Sequence, residues 1–142
     1  ILQIFIYPFG LYLFMNLRNR KLVRTVQIVL GLYILFAGFS GIFQFLPPPQ
    51  FNEAATAFMT ALFNTGYMFY LMSIIFIIVG VMFIFNKWSA FGVVLMAPIT
   101  VNIVLFHVFL DFTGWWIAFI FAILHVYLLV IHWPRYKPMF SK

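Results

Sequence analysis

The run GYMFYLMSIIFIIVGVMFIF, residues 66–85, crosses twenty positions without one charged side chain. A helix needs about 20 apolar residues to traverse a hydrocarbon core of roughly 30 Å, so this run predicts a transmembrane span. Three more runs have the same character. Residues 22–46, LVRTVQIVLGLYILFAGFSGIFQFL, end abruptly at Pro47, Pro48 and Pro49, which cannot continue a helix. Residues 90–110 form a third span, with Pro98 inside it to kink the helix and free a carbonyl. Residues 115–133 form a fourth, ending before Pro134. With 66% of 142 residues hydrophobic and 7% charged, a water-soluble domain could not cover its own apolar surface. The expected fold is an all-α integral membrane protein, a four-transmembrane-helix bundle, with no length left for a separate soluble catalytic domain.

The charges divide between the two ends of these spans. Arg18, Arg20, Lys21 and Arg24 precede the first, Lys87 joins the second to the third, and Arg135, Lys137 and Lys142 follow the fourth. Glu53 and Asp111, the two acidic residues, fall in the other two connections. This is a positive-inside pattern, which places both ends of the bundle in the cytoplasm, with a bacterial inner membrane as the expected location. The net charge of +6 then reads as topology and lipid contact rather than as a nucleic-acid surface.

Residues 1–20 open with ILQIFIYPFGLYLFMN, whose sixteen residues make only about 24 Å of helix. It predicts an extra N-terminal hydrophobic helix, either a truncated span or an interfacial segment. No basic leader or small-residue cleavage site follows Ile1, so no signal peptide is expected. The bundle proper covers residues 21–136 and a basic tail residues 137–142. In the first outer loop, Asn52 is a good N-cap, Glu53 suits the positive helix end, and Ala54, Ala57, Phe58, Ala61 and Leu62 share a face. A short amphipathic helix over residues 52–64 is expected there, folded over the mouth of the bundle as a lid or docking surface.

Helix packing is expected at small residues: Ala37 and Gly41, with Gly38 beside them, and Gly80 in the second span. Trp88, Trp115, Trp116, Trp133, Arg135 and Tyr136 lie near span ends as interfacial anchors. Candidate chemistry is confined to Asn102, His107 and Asp111. Positions four apart share a helix face, so Asp111 can orient His107 at the outer boundary. Asn102 is about 140° around the axis from His107 and points elsewhere, able to bridge to another helix. His107 reads either as a hydrogen-bonded structural histidine or as a quinone-contacting or proton-relay residue.

Other chemistries lack their residues. Without cysteine there is no disulfide, thiolate metal site or thiol redox centre. Two carboxylates cannot build a dinuclear site, and no HExxH or glycine-rich phosphate loop occurs. His107 and His125 differ in depth by roughly 9 Å, which disfavours paired haem ligation. No cofactor or metal is expected, with quinone or bound lipid as the candidate ligands.

FAGFSGIFQFLPPPQFNEAATAFMTALFNTGYMFYLM and APITVNIVLFHVFLD together resemble the DoxX family of small four-helix membrane proteins. The resemblance spans roughly residues 24–136 and implies association with membrane redox machinery, such as the membrane subunit of thiosulfate:quinone oxidoreductases. It carries over Asn102, His107 and Asp111. Relatives usually have a lysine where this chain has Gly41 and a glutamate where it has Phe76, a paired loss that favours packing over catalysis. The expected function is a non-catalytic accessory subunit of a larger energy-converting or redox assembly, with lipids and other membrane subunits as partners and no nucleic acid. The alternatives are a quinone-binding oxidoreductase subunit and a small transporter or lipid-binding protein.

Overall fold

The computed structural model describes residues 17–47 and 49–140. These form α1 (Arg20–Phe43), α2 (Glu53–Asn64), α3 (Met68–Phe85), α4 (Ser89–Phe109) and α5 (Trp115–Tyr136), then a 3-10 turn at Lys137–Phe140, with no strand among the described residues. α1, α3, α4 and α5 are each long and apolar enough to cross a membrane. Nearly all of the expected N-terminal hydrophobic segment, Pro48 and the last two residues of the basic tail lie outside the described residues.

Local chemistry sets the helix ends. Asn19 caps α1 by accepting from the Lys21 N–H at 2.9 Å. α1 stops at Phe43, short of Leu46, because Gln44 turns left-handed (φ 49°) and its N–H closes on the Ser40 carbonyl at 2.8 Å. Asn86 (φ 53°) and Trp88 (φ 55°) are also left-handed, so α3 reverses into α4 across three residues. Asparagine tolerates that region; tryptophan is strained there. α5 does not end before Pro134, as the proline predicted, but continues to Tyr136. So near the terminus, Pro134 costs only the bond to the Val130 carbonyl, and the Lys137 N–H still closes on Trp133.

Val26, Leu30 and Ile34 recur every four residues on α1 and bury one stripe of it. They meet Val79 and Phe83 of α3, Val93 and Met96 of α4, and Phe121 and Leu128 of α5. α1 packs most extensively on α3, and α4 on α5, while α3–α4 and α1–α5 contacts close the ring. The result is two antiparallel hairpins. Glycine brings the first pair together: a Cβ on Gly80 would lie 2.9 Å from the Gly31 carbonyl oxygen, and one on Gly38 would lie 2.8 Å from that of Ser73. Gly41 faces the Ser73 side chain, whereas Ala37 is only half-buried. Outward faces carry Ile74, Ile78, Val94, Val101, Ile120 and Ile123, all exposed, a surface suited to lipid.

Candidate functional sites at the two ends of the bundle

At the end carrying α2, Asn52 starts that helix, the expected lid; of the face expected to pack, Phe58 and Leu62 are half-buried, whereas Ala54, Ala57 and Ala61 are exposed. Asn52 Oδ1 accepts from the Ala55 N–H at 2.9 Å, the residue's own N–H donates to Asp111 Oδ2 at 2.9 Å, and its side-chain amide donates to the Leu110 carbonyl. Asp111 Oδ1 accepts from the Thr113 N–H at 2.8 Å. One carboxylate therefore fastens the lid to the α4–α5 turn. The Thr113 side chain, then the Asn52 and Thr113 N–H groups, hold the Asp111 carboxyl below the usual carboxylate range. Beneath it, Phe106 meets Phe51 and Phe58 at ring separations of 5.2 and 5.9 Å, and Ala55 is fully buried.

The three sequence candidates do not converge. α4 ends at Phe109, so the four-residue spacing between His107 and Asp111 no longer describes one helical face. The Asp111 N–H folds back to the Phe106 carbonyl at 3.1 Å, and its carboxylate turns to Asn52. His107 donates through Nδ1 to the Ile103 carbonyl of its own helix at 2.9 Å, since a carbonyl can only accept. Asn102 does not bridge to another helix of this chain. It is exposed on α4, with no hydrogen bond to its side chain among the described residues.

The remaining histidines are also tied to backbone. His125 Nε2 donates to the Val93 carbonyl of α4 at 2.9 Å, and His132 Nδ1 donates to the Leu128 carbonyl at 2.8 Å. Among the described residues no group of three histidine or acidic side chains could hold a metal ion. Trp88, Trp115, Trp116, Trp133 and Arg135 are exposed near helix ends. Tyr136 is buried instead, because its hydroxyl donates to the Ala90 carbonyl at 2.6 Å and ties α5 to the start of α4.

The opposite, basic end holds a cavity of about 860 Å³ lined by Arg18, Arg20, Arg24, Gln27, His132 and Arg135 among others. Arg24 is fixed there: its guanidinium donates to the Phe83 carbonyl at 2.7 Å and to that of Ile84, capping the last turn of α3. Gln27 is 2% exposed. A smaller groove of about 170 Å³, lined by Leu129, Val130, Trp133 and Pro134, adjoins the cavity through Pro134. The arginines are legible in the sequence as a topology signal. Their convergence with Gln27 and His132 is not, because it joins the start of α1 to the end of α5.

No protein-family model, curated protein or solved structure matches this chain.

Proposed function

We propose that this chain is a non-catalytic accessory subunit of a larger membrane assembly. The observation that carries this reading is Asn102, a primary amide exposed near the middle of a membrane-length helix. Hydrocarbon offers it no hydrogen-bond partner, whereas a polar group on a neighbouring transmembrane helix does. Pro98, Val101 and Leu105 are exposed around it and give such a helix an apolar seat. The polar groups that a catalytic reading would need support the same view. The His107 Nδ1–H is committed to Ile103, and the Asp111 carboxylate is occupied by backbone N–H groups, so the two are not arranged as a relay. The resemblance to the DoxX family supplies the class of assembly, an energy-converting or redox complex. The basic end then faces the cytoplasm of a bacterial inner membrane, following the positive-inside rule.

Quantitative crosslinking in native membranes tests the role of Asn102. Asn102→Leu should leave the bundle folded and weaken association with neighbouring subunits by about 1 kcal/mol, roughly fivefold, while Asn102→Gln retains most of it. Equal crosslinking of Asn102→Leu and wild type, or crosslinks to lipid alone, would refute the proposal.

A further inference from the structure

We infer that the basic end is a binding site for an amphiphile with a phosphate headgroup, the phosphate lodged among Arg18, Arg20, Arg24 and Arg135 and the chain running into the groove at Trp133. Four arginines line one cavity, and the only acidic side chains in the sequence, Glu53 and Asp111, lie at the opposite end of the helices. No side chain of this protein can neutralise them. An anion with several acceptor oxygens can, and guanidinium forks match phosphate in geometry as well as charge.

The site has fixed parts as well as charge. Arg24 is anchored by the two carbonyls that end α3, which uses only some of its N–H donors. Gln27 lines the cavity nearly inaccessible to bulk water and has no hydrogen bond to its side chain among the described residues. The His132 bond to Leu128 fixes that ring's orientation and leaves Nε2 without a backbone partner. At about 860 Å³ the cavity also exceeds what a bare phosphate fills and falls among the volumes of small-molecule sites.

The neighbouring groove identifies the rest of the ligand. Its lining is Leu129, Val130, Trp133 and Pro134, with no charged residue, and Pro134 belongs to both spaces. Charge on one side of this shared residue and an apolar slot on the other complement a molecule that changes from phosphate to hydrocarbon at one point. A lipid and free phosphate share the headgroup chemistry; only the lipid uses the groove.

The full chain in phosphatidylcholine nanodiscs provides the test, with brominated phosphatidic acid as one probe and inorganic phosphate as the other. Phosphatidic acid should be retained in native mass spectrometry and should quench an emission component that is missing from Trp133→Phe. Inorganic phosphate should bind at least about tenfold more weakly. The triple variant Arg18→Gln, Arg20→Gln, Arg135→Gln spares Arg24 and its cap on α3. It should keep wild-type helicity and lose roughly tenfold or more of phosphatidic acid retention. Equal retention by the folded triple variant would overturn the site. Phosphate binding as tight as that of the lipid, or quenching unchanged in Trp133→Phe, would overturn the assignment of an amphiphile.

Discussion

Asp111 illustrates how much one side chain does at the lid end. Its carboxylate accepts from Thr113, two positions on in the chain, and from Asn52, 59 positions back. The folded pKa is lowered, so its stabilising contribution is complete above the unfolded value of about 3.9. That contribution is lost as the pH falls through the lowered folded value. Hydrogen exchange at the Ala55 amide, corrected for intrinsic rate, should therefore show steady lid protection from neutral pH down to about pH 4 and falling protection below it. In Asp111→Asn the protection should be low throughout and lack this acid transition. A variant indistinguishable from wild type would mean that the aromatic contacts of Phe106 hold the lid without the carboxylate.

Among the elements, α1 and α3 depend on each other most. Gly31, Gly38 and Gly80 let the two backbones approach closely, and the Cβ position of Gly38 already crowds both the Ser73 carbonyl and Ile77. Gly38→Leu should separate the pair and lower stability by about 1–3 kcal/mol, measured as a thermal shift in detergent, with Leu32→Ala on the lipid face as a silent control. Much of this level was legible in the sequence, because an uncharged run of twenty residues has few other solutions. What escaped was local or distant. Left-handed Gln44 ends α1 early without a glycine to mark it, and Pro134 is tolerated because it falls in a last turn. Gly31 escaped because the small-residue spacing drew attention to Ala37, and the Asn52–Asp111 bond because neither residue's local pattern points to the other.

For the whole molecule, the division of charge is an experimental handle as well as a topology signal. The chain contains no cysteine, so single replacements report sidedness without background. Glu53→Cys should react with an impermeant maleimide added outside intact spheroplasts, and Lys87→Cys only after permeabilisation. The reverse pattern would put the basic cavity on the outer face. The arginines of that cavity show why sites were harder to read than spans: the sequence signals the same residues as topology, and only the ring closure of α1 with α5 brings them together.

The Arg24 cap also bears on the order in which the protein is made. Arg24, Phe83 and Ile84 all precede the turn at Lys87, so the bond that closes the first hairpin involves nothing translated later. α1 and α3 can be latched together at the membrane surface while α4 and α5 are still inside the ribosome. The second hairpin then completes the shared core, adding Val93, Met96, Phe121 and Leu128 to the face that Leu30, Val79 and Phe83 present.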